Sequence, residues 1–219
     1  MYIELNNITK SIKGTTVLED ISLRFEGGSV YGLKGKNGCG KTMLMRTICG
    51  LIKPTQGTVD INGKQLWKDM TFPESIGALI ENPSFIDRYT GFDNLKMLAN
   101  IKGIISDEQI CDALRSVGLD PADTRKYRKY SLGMKQKLGI ACAVMENPDI
   151  VILDEPINAI DADGALLVHD ILDKLKKLGK IIIIACHDAD EMDALADKII
   201  LMEQGRIIGN EDVMLSGKE

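Results

Sequence analysis

Val30 to Thr42 reads VYGLKGKNGCGKT, and its last eight residues, Gly35-Lys36-Asn37-Gly38-Cys39-Gly40-Lys41-Thr42, match every fixed position of the phosphate-cradling pattern GxxxxGK[ST]. The apolar run Val30 to Leu33 predicts a strand leading in. The helical spacing of Met43 to Cys49 predicts a helix leading out. In that context the glycines let successive backbone N–H groups converge on phosphate oxygens, Lys41 adds a point charge, and the Thr42 hydroxyl suits a divalent cation. The helix N-terminus, opening at Met43, aims its dipole at the same place.

A second charged station lies downstream. Ile150-Val151-Ile152-Leu153-Asp154-Glu155 is a buried strand ending in two carboxylates. Such a strand puts charge at the C-terminal edge of a sheet, where the phosphate loop also lies. Asp154 is placed to hold Mg²⁺ and Glu155 to orient or deprotonate an attacking water. The next apolar run, Ile181 to Cys186, ends in His187, one of two histidines, which reaches the same edge as a hydrogen-bond donor. Ser131-Leu132-Gly133-Met134-Lys135-Gln136-Lys137 opens a helix running to about Met145 with no acid before Glu146. That leaves its dipole unanswered and predicts a second anion-facing end.

Between these stations the texture changes. Tyr2 to Thr9, Val17 to Phe25 and Thr58 to Ile61 alternate apolar and polar residues, as half-buried antiparallel strands do. Asn94 to Ile101 and Asp107 to Val117 have helical spacing, with Ser106 as N-cap of the second. From Asp149 onward buried strands flank a helix, Ala162 to Leu178, whose inward stripe reads Leu167, Ile171, Leu175 and Leu178, with Lys174, Lys176, Lys177 and Lys180 as its solvated face. Continuous Ile/Val runs separated by helices imply a parallel sheet covered on both faces.

Composition narrows the class. Twenty-seven Lys plus Arg against 32 Asp plus Glu leave a net charge of −5, which excludes an electrostatic footprint for nucleic acid. No apolar run approaches the ~20 residues of a membrane helix, and MYIELNNITK has no secretory pattern, so a cytosolic chain is expected. Five cysteines without CxxC spacing read as reduced, mostly buried thiols. Cys39, inside the loop, is either a reactive thiol at a helix N-terminus or a small space-filler.

GKNGCGKT, YSLGMKQK, IVILDEP, NAID (Asn158 to Asp161) and His187, in that order, resemble the ATP-binding subunit of an ATP-binding-cassette (ABC) transporter over nearly the whole chain. The resemblance implies an α/β P-loop NTPase: a mostly parallel core sheet flanked by helices, an antiparallel β layer at the front, and a helical insertion. Residues 1–83 and 146–219 would form the core and 84–145 the helical subdomain, within one domain of 1–219. It further implies ATP and Mg²⁺ as cofactors and a head-to-tail dimer, with an identical or paralogous subunit, in which ATP lies between the phosphate loop of one domain and Ser131 and Gly133, or their counterparts, of the other. Asp161 would sit on the loop crossing that interface. Separate transmembrane permease subunits would be partners, the chain lying on the inner face of the membrane.

The chain departs from the family pattern in three places. The segment Tyr130-Ser131-Leu132-Gly133-Met134 keeps Ser131 and the second glycine of LSGGQ but not the first or the Gln. The loop Ile76 to Pro83 carries Glu81 where most relatives have a Gln near the metal. Both departures are similar to the subgroup that exports bacitracin-type and lantibiotic peptides, and Glu81 is thus a candidate metal ligand and coupling residue. The adenine-stacking aromatic is replaced by Ile12, which lacks the ring-on-ring contribution. Phe85, Tyr89 and Phe92 cluster after Glu81, as core residues or as a groove for a cytoplasmic helix of the permease. The implied function is ATP hydrolysis driving peptide export. A soluble ATPase switch acting on DNA or ribosomes is the alternative, disfavoured because such relatives carry a long coiled-coil insertion or two cassettes in one chain. A small P-loop kinase would leave YSLGMKQK and His187 unexplained.

Overall fold

Residues Ile150–Asp154 and Ile181–Ala185 are buried at every position, and their side chains alternate between two cores. Val151, Leu153, Ile182 and Ile184 enter one; Ile150, Ile152, Ile181 and Ile183 enter the other. Strands covered on both faces need no polar alternation, which is why these runs are uninterrupted. In the computed structural model, which describes residues 1–212, they are central strands of a six-stranded sheet.

The strands are β1 (Tyr2–Ile12), β2 (Thr15–Glu26), β3 (Ser29–Lys34), β4 (Gln56–Ile61), β5 (Lys64–Gln65), β6 (Ile76–Leu79), β7 (Ile150–Asp154), β8 (Ile181–Ala185), β9 (Lys198–Glu203) and β10 (Arg206–Asp212). The helices are α1 (Lys41–Ile48), α2 (Gly91–Lys102), α3 (Asp107–Ser116), α4 (Leu132–Val144), α5 (Ala162–Lys177) and α6 (Ala189–Leu195). The large sheet has the order β10-β9-β3-β8-β7-β6, parallel except for β10. The small sheet, β2-β1-β4-β5, is antiparallel. Leu44, Met45 and Ile48 of α1 share one core with Ile3, Leu5 and Ile8 of β1 and with Ile183 of β8, so α1 is wedged between the two sheets.

Helices α2 and α3 begin where polar side chains stop the backbone N–H groups from being orphaned. Thr90 and Asp93 form a reciprocal capping box on α2, and Ser106 and Gln109 form one on α3, as expected at Ser106. Leu95, Ile110, Leu114, Tyr127 and Leu138 join the same apolar cluster as Val151 and Leu153 of the sheet.

Some sequence expectations shift. The inward stripe of α5 is Val168, Ile171, Leu172 and Leu175; Leu178 is 63% exposed because the helix ends at Lys177 and leaves it as the C-cap. Lys176 and Lys180 are not simply solvated: each pairs with an acid, Asp197 and Asp149 respectively, the latter at 2.7 Å. Ile76 to Pro83 is not all loop, since Ile76–Leu79 pairs with β7 as the edge strand. Residues 213–219, included in the expected core domain, lie outside the described residues.

Candidate nucleotide site

Strand register places the site. Leu33 and Asp154 both lie opposite Ala185, and Leu79 lies opposite Leu153. The phosphate loop after β3, Asp154-Glu155 at the end of β7, His187 just beyond β8 and Glu81 just beyond β6 therefore emerge at one edge. All but His187 border a cavity of about 400 Å³ lined by Val17, Asn37, Gly38, Gly40, Lys41, Thr42, Met43, Glu81, Asn82, Gln136, Asp154, Glu155 and Asn158.

The phosphate loop is shaped by its last glycine. Gly40 has φ +112°, and a Cβ there would sit 3.0 Å from the Val17 carbonyl oxygen. No side chain caps α1 and no acid stands in its first turn, so its leading N–H groups are free for an anion. The buried Lys41 donates to the carbonyls of Gly35 at 2.6 Å and Lys36 at 3.3 Å. Gly35 and Lys36 thus touch the site through Lys41. Cys39 points away from the cavity into the core, and its carbonyl accepts from Gly205 N–H at 2.9 Å, tying the loop to the β9–β10 turn. This burial supports the space-filling reading of Cys39. All five cysteines are free. Burial pushes the Cys49 and Cys186 thiols up to about 12 and Cys142 to about 11.

The carboxylates are held by different elements. Asp154 is buried and accepts from the Thr42 hydroxyl at 2.9 Å. Burial pushes its carboxyl above the ordinary range; the Thr42 bond and Lys41 pull it back, while Glu155 and Glu81 add to the rise. Glu155 stands at φ +52°, a left-handed conformation costing a non-glycine residue roughly 1–2 kcal/mol. Its backbone is held from three sides: its N–H donates to Ala185, and its carbonyl accepts from Asn158 N–H and from the Gln136 side chain at 2.8 Å. Its Oε2 lies 2.7 Å from Nδ1 of His187, which shifts that imidazole above its usual value, first by the hydrogen bond and then by the charge of Glu155. Glu81, also left-handed at φ +63°, pairs with Arg46 of α1 at 2.8 Å.

Several predicted residues stand away from the cavity. His187 reaches it through Glu155. Ser131 caps α4, its Oγ accepting from Met134 N–H at 3.2 Å, and no acid follows in the first turn. Lys135 is engaged over the Tyr127 ring, 4.9 Å from its centroid. Gly133 packs against the loop after β7: a Cβ there would lie 2.6 Å from the Ala159 carbonyl oxygen. Asp161 caps α5 and pairs with Lys137 of α4 at 3.0 Å, which holds its carboxyl below the usual range. Ile12 is exposed at the end of β1 outside the lining, where the apolar side chain of the β1–β2 pair is Val17 instead. Gln136 and Arg46 were not picked out from the sequence. Arg46 falls four residues after Thr42 on one helix, a spacing that puts both on one face and was readable; Gln136 becomes visible only through its partner.

Phosphate loop, carboxylate pair and strand order together define a P-loop NTPase of the ABC cassette type. Residues 18–158 match the family model described as ABC transporter. The chain is 50% identical over 97% of its length to the uncharacterised ABC transporter ATP-binding protein YybJ of Bacillus subtilis strain 168, covering 97% of that protein. It is 40% identical to the bacitracin transport ATP-binding protein BcrA of Enterococcus faecalis, over 98% of this chain and 70% of BcrA. To the lantibiotic transport ATP-binding protein SrtF of Streptococcus pyogenes it is 34% identical, over 94% and 89%. A solved dimeric structure of a bacterial ABC transporter cassette superposes with a TM-score of 0.88 at 25% identity, over 97% of this chain and 99% of that one. The chain belongs to the ABC transporter family, as an ATP-binding, ATP-hydrolysing subunit.

Proposed function

We propose that this subunit powers export of an antimicrobial peptide through separate transmembrane subunits, working as a head-to-tail dimer on the inner face of the membrane. The observation carrying the reading is Glu155. Its carboxylate faces the cavity of Lys41, Thr42 and Asp154 and is oriented by His187, as hydrolysis of a bound triphosphate requires. The peptide class rests on the 40% identity to a bacitracin transport protein and 34% to a lantibiotic one. Residues 1–83 and 146–219 then act as the catalytic core, and 84–145 as the helical subdomain presenting Ser131 and Gly133 to the partner's ATP, with Asp161 at the interface. Ile12 is the side chain offered to adenine from β1.

The donor set fits Mg²⁺. The Thr42 hydroxyl, the Asp154 carboxylate and the nearby Glu81 are hard oxygen donors, and Asp154 is buried at a charge cost that a cation offsets. Among the described residues no three His, Cys, Asp or Glu side chains form a metal cluster; Thr42 and Asp154, with Glu81 beside them, would hold the cation together with the nucleotide. When bound, Mg²⁺ neutralises phosphate charge. Lys41 leaves its two loop carbonyls for the phosphates, Glu155 accepts the proton of the attacking water, and His187, in its imidazolium form, donates from Nδ1 to fix the carboxylate and from Nε2 to the γ-phosphate.

No described helix is long and apolar enough to cross a membrane, so passage of substrate requires other subunits. A groove of about 410 Å³, walled by Pro83, Phe85, Tyr127 and Leu132, offers them a docking place. Phe85 stacks edge-on to Tyr127 at 5.4 Å, and the Tyr127 hydroxyl donates to the Pro83 carbonyl at 2.7 Å. Phe92, against the core beneath Lys96, and Tyr89 lie outside the groove walls. In the test, Glu155→Gln retains ATP, accumulates an ATP-dependent dimer in size-exclusion chromatography, and loses roughly 10²–10⁴-fold in turnover. Undiminished turnover sinks the catalytic assignment. Co-expression with its membrane subunits raises bacitracin or lantibiotic resistance; unchanged resistance to both sinks the peptide assignment.

A further inference from the structure

We propose that Arg46 is a positioning residue that acts through Glu81 to set how strongly nucleotide binding depends on the divalent cation. Three carboxylates, Glu81, Asp154 and Glu155, line one cavity, and its buried cation, Lys41, is committed to the phosphate loop. A second cation enters from the floor. Helix α1 carries Thr42 and Arg46 at i and i+4, hence on one face, and that face meets two adjacent strand ends: Thr42 bonds Asp154 after β7, and Arg46 pairs with Glu81 after β6 at 2.8 Å. One helix thus fixes both carboxylates that flank the cation position, one by a hydroxyl and one by a guanidinium.

The backbone makes this arrangement selective. Glu81 takes a left-handed φ of +63° two residues after the edge strand ends at Leu79, which turns it back toward α1, where it pairs with Arg46. Held there, its charge is offset by Arg46 until a cation arrives, at which point the carboxylate has a choice of partners. Without Arg46, the Glu81 charge stands uncompensated beside the triphosphate. Binding of metal-free ATP then weakens, while binding of the Mg²⁺ complex is little changed, because the cation takes over the compensation.

The inference rests on the proposed place of Glu81 beside the metal, and one measurement separates the two. ATP affinity is measured by calorimetry in excess Mg²⁺ and in EDTA, in a Glu155→Gln background so that nothing turns over. The readout is the ratio of the two dissociation constants. Arg46→Ala is expected to raise this ratio about fivefold, the upper end of what a partly exposed ion pair supplies. Glu81→Gln shifts the ratio in its own right, Arg46→Ala/Glu81→Gln matches Glu81→Gln alone, and Arg46→Lys retains most of the wild-type value. If Glu81→Gln leaves the ratio unchanged, the metal-side reading of Glu81 falls. If Glu81→Gln shifts it but Arg46→Ala does not, or if Arg46→Ala acts equally in the Glu81→Gln background, the positioning role is overturned. Thermal midpoints without nucleotide show whether Arg46→Ala folds; if it does not, Arg46→Gln takes its place.

Discussion

Replacing Gln136 by Met tests whether α4 positions Glu155, the carboxylate proposed to take the proton of the attacking water. Met keeps nearly the same volume and removes both donors, so packing in the buried site is preserved while the bonds to the Glu155 carbonyl (2.8 Å) and the Pro156 carbonyl (3.4 Å) are lost. The Glu155 carbonyl keeps one partner, Asn158 N–H, so the stability cost falls in the lower part of the range for an unsatisfied buried group, about 1–2 kcal/mol. For a chain of this size that is a fall of roughly 2–8 °C in Tm. The catalytic cost is larger in proportion. Glu155 is held at φ +52° with Gln136 as one of its tethers, and a displacement of about 1 Å at a reacting group costs on the order of 10²-fold. The expected outcome is kcat reduced roughly 10–100-fold, with ATP affinity within about a factor of two because Gln136 makes no bond to Lys41 or Thr42. Steady-state ATPase assays, calorimetric ATP binding and differential scanning calorimetry measure the three quantities. A Tm fall of the stated size with kcat unchanged refutes the positioning role and leaves Gln136 as a structural amide.

Two further outcomes follow from the charges at the same edge. Because burial raises the carboxyl of Asp154, its ionised form destabilises the nucleotide-free fold above that folded value, and the penalty is relieved as pH falls through it. Asp154→Asn, which keeps an acceptor for Thr42, is therefore expected to raise Tm at pH 7 while abolishing Mg²⁺-dependent ATP binding, with the Tm gain shrinking in acid; a lowered Tm at pH 7 contradicts the burial argument. His187 is also raised, but here the charged form is the favoured one: its stabilising pair with Glu155 is fully present below the ordinary histidine value of about 6.5 and is lost as pH rises through the folded one. An NMR titration of His187 should show a midpoint above that value, returning toward it in Glu155→Gln, and a wild-type midpoint at or below it would remove the Glu155 contact.

What was legible in the sequence follows from where each interaction is encoded. The phosphate loop and the Asp154-Glu155 pair were readable because their chemistry is local: a backbone shape set by glycines, a strand set by an apolar run, and charges at its end. The burial of β7 and β8 was readable for the same reason. Leu178 misled because helical periodicity continues on paper past Lys177, where the helix itself stops. Gln136 was silent and Arg46 showed only the helix face it shares with Thr42, because neither has its partner nearby in the chain; each acquires its role only when the sheet order β8-β7-β6 sets two strand ends beside α1 and α4. Ser131 and Gly133 show the same limit from the other side. Their segment was read as an anion site lacking an anion, and in the single chain Ser131 does cap its own helix, Lys135 covers Tyr127, and no acid answers the dipole. Meanwhile Gly133 sits against Ala159, Lys137 of the same helix grips Asp161, and Gln136 holds Glu155 itself, so the first turns of α4 are tied to the segment from Glu155 to Asp161. If a second cassette docks at Ser131 as proposed, the Gln136 amide is the contact through which α4 reaches Glu155.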